Sequence, residues 1–368
     1  MSTLSQRLAA AWKHSVDSGR LINRFQAAAD DPDKRWKQGD WIVFGVRCVK
    51  GENSLPKNVS RENAYYAQNE TQSRLIPGAV EEKVIPELGF ICQYNGYRAL
   101  RPGGALKPLG KQADISAAPE DCRFSCQDSS DPLSLLVREP LVQVPLSHYL
   151  WNAYYNAAPI DPNGHFLWVP KDVPKGIPKG IPKDVPEDAL AGNSELTHYP
   201  QQLSLAFLSD AIALYQQLDN MLLFFNSLHS GASVNHIHFQ AIAHSTPLPV
   251  ETWPLIQTSR SYAILKDYPA NVMAFGCSVS PDNLFRYIDR FQQNGTPFNL
   301  MFAGSQILLI PRNIEHEIVS EFPGNGIAAL GMCGKIITVD RHAYETANKR
   351  RITSAFEKMT ILSDAGFE

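Results

Sequence analysis

The segment running from Met221 to Ala243 restricts the fold of this chain more tightly than any other. It opens on an unbroken apolar run, Met221-Leu-Leu-Phe-Phe, and passes through Ser230-Gly-Ala-Ser233, a turn of small and polar residues. It then alternates as His236-Ile-His-Phe-Gln240 before running on through Ala241-Ile-Ala243. A short apolar run bounded by turn residues reads as a buried strand. Alternation with period two places His236, His238 and Gln240 on one face and turns Ile237 and Phe239 toward the core. The pattern therefore predicts two strands joined by a polar turn, with imidazoles along one exposed side. Four of the ten histidines (His229, His236, His238, His244) fall in this neighbourhood.

At 368 residues the chain has room for two domains, or for one domain built of two halves. Its 44% hydrophobic and 19% charged content is that of a globular protein with a large core. A net charge of −3 supplies no basic field, which argues against nucleic acid as a partner. Six cysteines are scattered along the chain, and only Cys122 and Cys126 are close. A C-x3-C without a second pair falls short of a zinc signature, so no metal and no cofactor is expected. No signal-peptide pattern and no run of membrane-spanning length is present, which predicts a cytoplasmic, reduced protein without membrane contact. The N-x-S/T matches at Asn58 and Asn69 are then chance.

Leu4, Leu8, Trp12 and Val16 recur at helical spacing and predict an amphipathic arm over residues 3–29, closed by the polar Asp30-Asp-Pro-Asp cluster. Short strands follow from Trp41, and Gly89–Arg98 reads as a strand with a turn at Asn95-Gly96. Residues 101–132 are rich in Gly, Pro and Ala and predict a surface loop. Asn156-Ala-Ala-Pro-Ile-Asp-Pro-Asn-Gly-His165 leads into the strand Phe166-Leu-Trp-Val-Pro170, a strand–turn–strand unit with Asn156 at its tip. Residues 169–188 repeat a Val/Ile-Pro-Lys/Glu-Gly/Asp tetrapeptide five times. Proline at every fourth position predicts an extended surface insertion that takes no part in helices or sheet ladders.

Beyond it, Leu203, Phe207, Ala211, Leu214 and Leu218 form one apolar stripe and predict a helix. Leu248-Pro-Val-Glu251 turns the chain away from the histidines. Val272–Phe275 reads as a strand, Pro281–Gln293 as a helix, and Phe298–Pro311 as a hairpin turning at Ala303-Gly-Ser. Its Ile-Pro-Arg ending echoes the Val-Pro-Lys ending of the earlier unit and suggests two related halves. Residues 327–339 predict a last pair of strands. Asp340 then caps a terminal helix with Ile352, Phe356 and Met359 on its inner face.

An H-x-H step admits three readings: a pair of ordinary strand histidines, a shared metal, or nucleophilic catalysis by imidazole. The metal reading lacks a third ligand, because Gln240 is a poor one. The nucleophile reading gains from Ser230-Gly-Ala-Ser233, which offers hydroxyls and backbone N–H groups to a phosphate. With an unperturbed pKa of about 6.5, imidazole is mostly neutral at pH 7 and needs no separate base. Gln240 donates a hydrogen bond but delivers no proton, which suits a leaving group that departs as a stable anion.

Residues 226–240 resemble the histidine-triad superfamily, in the nucleotidyltransferase and phosphorylase branch where the third histidine is glutamine. Asn156–His165 is similar to the companion motif of that superfamily. Phe225-Asn-Ser-Leu, Val234-Asn-His-Ile-His-Phe-Gln240 and Leu248-Pro-Val-Glu251 resemble the GDP-hexose phosphorylases, of GDP-galactose and GDP-glucose type. Ser230-Gly-Ala-Ser233 is more like the diadenosine tetraphosphate phosphorylases. The likeness covers residues 85–360, most closely at 150–170 and 222–251. It implies an α+β fold with antiparallel sheets, covering helices and two histidine-triad-like halves as an internal pseudo-dimer. The division expected is an N-terminal arm (1–40), a first half (41–245) and a second half with the C-terminal helix (246–368).

The resemblance also implies chemistry. His238 would attack the α-phosphorus to form a nucleotidyl-histidine, His236 would support the geometry, and Gln240 would hold a phosphate oxygen. Asn226, Ser230, Gly231 and Ser233 would contact phosphate, and Asn156 would lie near the ribose. Inorganic phosphate would then take the nucleotidyl group. Substrates are a nucleotide-sugar or a dinucleotide, and the assembly a monomer or weak dimer. The leading expectation is phosphorolysis of a GDP-hexose. The alternatives are a diadenosine tetraphosphate phosphorylase and, from another class, a non-catalytic nucleotide-binding regulator. His165 is expected to fix the hairpin, and His229 and His244 to be peripheral.

Overall fold

The computed structural model describes residues 2–17, 41–43, 46–48, 65–66, 80–96, 98, 122, 124, 126, 140–156, 159–172, 197–258, 260–324 and 326–361. The Asp30 cluster, Asn58, Asn69, most of the 101–132 loop and the repeat beyond Asp172 lie outside the described residues. Among those described, no helix is long and apolar enough to cross a membrane.

The protein is α+β and is organised on one ten-stranded antiparallel sheet. Five strands come from the middle of the chain: β6 (Val142–Pro145), β7 (Leu150–Tyr155), β8 (His165–Lys171), β9 (Met221–Asn226) and β10 (Phe239–Ala243). Five follow from later segments: β11 (Leu255–Gln257), β12 (Ala263–Leu265), β13 (Met273–Gly276), β14 (Phe298–Ala303) and β15 (Gln306–Pro311). The sheet order is β11-β12-β13-β15-β14-β9-β10-β8-β7-β6. Counted outward from the β9–β14 junction, both sides run fourth, fifth, third, second, first strand. Each side also inserts a helix between its third and fourth strands: α2 (Leu205–Tyr215) on one, α4 (Pro281–Gln293) on the other. Both helices start on a serine, Ser204 and Ser280, whose side chain accepts from the third helical N–H. The two halves thus share one topology.

The halves join where β9 and β14 pair, Asn226 opposite Asn299 and Phe225 opposite Leu300. The Val-Pro-Lys and Ile-Pro-Arg echo does not mark equivalent strands, since it falls on a third strand, β8, and a fifth, β15. The first repeat unit also departs from expectation. Val169, Pro170 and Lys171 are strand residues, with Pro170 opposite Trp151. A proline is tolerated there because β10 pairs β8 only as far as Trp168, so no ladder is interrupted on that side.

Alternation along the strands gives the sheet two apolar faces. Phe166, Trp168, Phe225, Phe239 and Leu300 project into one core with α2, α4 and the N-terminal helix α1 (Leu4–Asp17). Leu222, Phe224, Ile242, Met301 and Leu308 project into the other. That second core is roofed by a small sheet, β16-β5-β4, with β4 (Val80–Ile85) antiparallel to β5 (Phe90–Asn95) and β16 (Lys335–Thr338) parallel to it. Its remaining cover is α5 (Ala329–Met332), α6 (Arg341–Thr346) and α7 (Lys349–Met359). Residues 18–29 of the expected arm are outside the described set. β1 (Trp41–Val43), β2 (Val46–Cys48) and β3 (Tyr65–Tyr66) form a separate three-stranded sheet.

Two C-terminal expectations need correction. Residues 327–339 hold the short helix α5 and one strand, β16, rather than a strand pair. The terminal helix is two helices: Asp340 caps α6 by accepting from Ala343 N, and Asn348 caps α7 by accepting from Arg351 N. The boundary at 245/246 falls between β10 and the short helix α3 (Pro249–Thr252), and β16 pairs back across it onto β5.

Candidate functional site

The histidines lie at the junction of the halves, at the end of β9 and β14 where Asn226 and Asn299 meet. β10 begins at Phe239, so His236 and His238 stand in the loop ahead of the strand and not on it. Ile237 and Phe239 are buried, as the alternation requires. The His238 ring is 6% exposed. Its Nδ1–H donates to the His236 carbonyl at 2.8 Å, which puts the lone pair of the neutral ring on Nε2. Burial holds the ring neutral, with its pKa lowered to about 4. The Phe124 ring stands edge-on over the imidazole, centroids 5.2 Å apart.

A hydrogen-bond relay fixes the neighbouring amides. Gln201 Oε1 accepts from the His238 backbone N–H at 3.0 Å, and its Nε2 donates to the Asn226 carbonyl at 2.8 Å. Asn226 Oδ1 accepts from Asn299 Nδ2 at 2.8 Å and from Ala329 N at 2.9 Å. With its oxygen doubly engaged, Asn226 has its NH2 left for the site. Behind Asn299, the fully buried Arg312 donates to Asn299 Oδ1, to the Ile327 carbonyl at 2.8 Å and to the Met359 carbonyl at 3.1 Å. Burial lowers its pKa to about 10, and the group stays charged at neutral pH. His165 Nε2–H donates to Gln240 Oε1 at 2.9 Å, with the Asn156 amide 3.2 Å from the same nitrogen. Gln240, too, therefore presents its NH2.

These groups border a cavity of about 60 Å3, lined by Asn226, Gly231, Gln240, Arg98 and the glycine-rich 326–331 segment. A guanidinium and two amide NH2 groups make it a cavity for an anion. His238 is not in the lining. A larger cavity, about 400 Å3, opens beside it and includes Glu82, Asp161, His244 and Lys335.

Several expected contacts are arranged otherwise. Ser230 is wholly buried, its Oγ 2.8 Å from the carbonyls of Ser227 and Phe298, so it braces the loop and does not face the cavity. The Gly231 N–H donates to the buried carboxylate of Glu317 at 3.0 Å; burial raises the pKa of that carboxyl. Gly231 does line the cavity, at φ +102, and a Cβ there would meet Ala328 Cβ at 2.7 Å. Ser233 is partly exposed and lines neither cavity. His244 accompanies the larger cavity and pairs with Glu251 at 2.8 Å.

His236 occupies a different setting from the one expected. Its Nδ1 is 3.6 Å from Cys122 Sγ, and His198 Nδ1 is 3.4 Å from Cys126 Sγ. One ligand atom from each of the four residues lies within 4.8 Å of the others. A tetrahedral zinc with two sulfurs and two nitrogens has edges of roughly 3.3–3.8 Å, so this donor set fits the ion. The C-x3-C pair has its missing partners after all, and they come from two distant segments. The Nε2 atoms of both histidines are buried without a hydrogen-bond partner. The Cys126 thiol donates to Cys122, which holds the Cys122 thiol far below its usual range. An ion there would tie the turn bearing Phe124 to the loop bearing His238.

Gln201 and His198 are residues of this region that the sequence did not single out, and they carry no local pattern. Arg98 and Asn299 stand in segments the sequence marks as strands, and Arg312 offers a positive charge for phosphates that the structure instead turns onto Asn299.

No protein-family model matches the chain. It is 30% identical over 99 residues to GDP-L-galactose phosphorylase 1 of Arabidopsis thaliana, a match spanning 24% of this chain and 22% of that relative. Both likenesses are to phosphorylases. The second is to solved structures of yeast Ap4A phosphorylase. The unliganded one has a TM-score of 0.48 at 18% identity, over 78% of this chain and 89% of that one. The complex with Ap4A has 0.47 at 16%, over 77% and 89%.

Proposed function

We propose that this protein is a nucleotidyl-transferring phosphorylase of the histidine-triad superfamily, its two five-stranded halves forming an internal pseudo-dimer. Its substrate is a GDP-hexose. His238 Nε2 attacks the α-phosphorus, forming a phosphorus–nitrogen bond as the bond to the bridging oxygen breaks and hexose 1-phosphate leaves. Inorganic phosphate then attacks the guanylyl-histidine, the phosphorus–nitrogen bond breaks, and GDP departs. The observation that carries this reading is the Gln201 relay, which ties the backbone N–H of His238, a ring of fixed tautomer, to Asn226, whose amide lines the cavity with Gln240 and Arg98.

Each group has a physical task. The His236 carbonyl accepts a hydrogen bond from Nδ1–H and stabilises the positive charge that develops on the ring during attack. Asn226 and Gln240 present amide donors already held by their partners, so they need no reorganisation as charge builds on the phosphoryl oxygens. Ser230 supports the loop, and Asn156, beside His165, lies on the nucleoside side. An ion held by Cys122, Cys126, His198 and His236 would supply structural cross-linking, not a reacting group.

The test is incubation with labelled GDP-glucose, GDP-galactose or diadenosine tetraphosphate, with and without phosphate. GDP released only when phosphate is present supports the proposal. Turnover of the dinucleotide alone replaces the substrate class, and silence on all three leaves a nucleotide-binding regulator.

A further inference from the structure

The larger cavity is continuous with the anion cavity along four separate segments. Phe224 and Gln240 line the smaller one; Leu222 and Ile242, two residues further along the same face of β9 and β10, line the larger. On β16 Ile337 gives way to Lys335 in the same manner, and in the turn ahead of β8 Ile160 is followed directly by Asp161. Two residues of strand correspond to about 7 Å, so the cavities are successive compartments of one cleft. At about 400 Å3 the second is large enough for a small-molecule moiety.

Its chemistry is that of a polyol site. Glu82 and Asp161 supply carboxylate acceptors, Lys335 an ammonium, Thr246 and Asn163 groups that both donate and accept. Leu222 and Ile242 supply an apolar floor. The polar groups are held from behind: Lys335 Nζ is 3.0 Å from Glu82 Oε1, Gln93 Nε2 donates to the same oxygen at 2.7 Å, and Asp161 Oδ1 accepts from Asn163 N at 2.8 Å. Among the described residues no Phe, Tyr or Trp lines it; its one aromatic ring is the imidazole of His244, which Glu251 holds at 2.8 Å. Asn156, on the nucleoside side in the proposed reading, is not in its lining either.

We infer that this compartment is the subsite for the hydroxyl-bearing sugar ring of the substrate, with Asp161, Lys335 and Thr246 as its specificity-determining contacts. The inference rests on the phosphorylase reading given above. A nucleotide-sugar would lie along the cleft with its phosphates at Arg98, Asn226 and Gln240 and its hexosyl group over Leu222 and Ile242.

Asp161→Asn, Lys335→Met and Thr246→Val in the full chain test it. The KM for GDP-hexose is expected to rise by about 10- to 100-fold in the two charge-removing variants and by less in Thr246→Val. The Kd for GDP, which has no sugar ring to place there, is expected to stay within about twofold. A parallel loss of GDP affinity would assign the compartment to the nucleoside, and unchanged KM in all three would leave it without a ligand; either overturns the inference. Labelling of Lys335 by an amine-reactive reagent in the unmodified protein is a second measurement, independent of how the variants fold. Hexose 1-phosphate is expected to protect Lys335 and GDP is not; the reverse overturns the inference. If the unmodified protein cleaves no GDP-hexose, the phosphorylase reading fails first, and that failure is visible before any variant is made.

Discussion

The two halves of the ten-stranded sheet follow one topology and differ most in how the fourth strand reaches the fifth. In the second half β14 passes to β15 through Gly304 and Ser305 alone, with Ala303 opposite Gln306. In the first, residues 227–238 intervene between β9 and β10 and carry His229, His236 and His238. Aligned end to end, β9 and β14 set Ala303 where Asn226 stands. The ladder registers then set Leu308 where Gln240 stands, and Gln306 where His238 stands. The second half thus has apolar residues where Asn226 and Gln240 stand, no imidazole and no room for a loop, yet it contributes Asn299, Arg312, Glu317 and Ala329, which hold the first half's amides and loop in place. The first half supplies the histidines and the oriented amides; the second braces them and adds its 326–331 segment and Lys335 to the cavity linings.

That division of labour can be broken most severely at the presenting side. Asn226→Ala removes an oriented amide donor and is expected to lower kcat by roughly 100-fold; because Asn299 Nδ2 and Ala329 N also lose their acceptor, it is expected to cost about 1–3 kcal/mol of stability, as steady-state kinetics and urea unfolding would read. The bracing side comes next. Arg312→Met leaves Asn299 Oδ1 and the Ile327 carbonyl without a donor, while the Met359 carbonyl keeps that of Asn313 N–H, and is expected to cost about 2–4 kcal/mol in urea unfolding. A loss within 0.5 kcal/mol would mean the brace is idle.

The cysteine–histidine cluster sharpens the comparison, because it lies entirely on the presenting side. Zinc content near one ion per chain is expected in the purified protein and loss of it in Cys126→Ser, by elemental analysis. Ser230→Ala is expected to cost about 1–2 kcal/mol of stability and leave KM unchanged, since Ser230 faces Phe298 and not the cavity. The smallest effect belongs to Gln306→Ala, at the counterpart of His238: turnover within about twofold.

What could be read from the sequence was local. Ser280, Pro281 and a one-sided apolar stripe specify α4 in their own thirteen residues, and the helix runs as those signals require. The run from Asn226 to Gln240 announces itself through residue types that a loop beside a strand has no other reason to collect. The bracing roles of Asn299 and Arg312 have no local signature, because they are made by partners 73 and 13 residues away. Cys122 meets His236 across 114 residues and Cys126 meets His198 across 72, so spacing alone left the pair without ligands. The break between α6 and α7 was hidden because Asn348 is a good cap but carries no Gly or Pro beside it; Thr346 and Ala347 pass equally well for helix.

The central claim is a bond between phosphorus and Nε2 of His238, and it is tested most directly by trapping that bond. The protein would be mixed with GDP-hexose in the absence of phosphate, quenched in alkali and digested for mass spectrometry. The account predicts one guanylyl group on the peptide containing His238, absent in His238→Asn and discharged as GDP when phosphate is added. Full turnover with no adduct, or an adduct on any other residue, would contradict it.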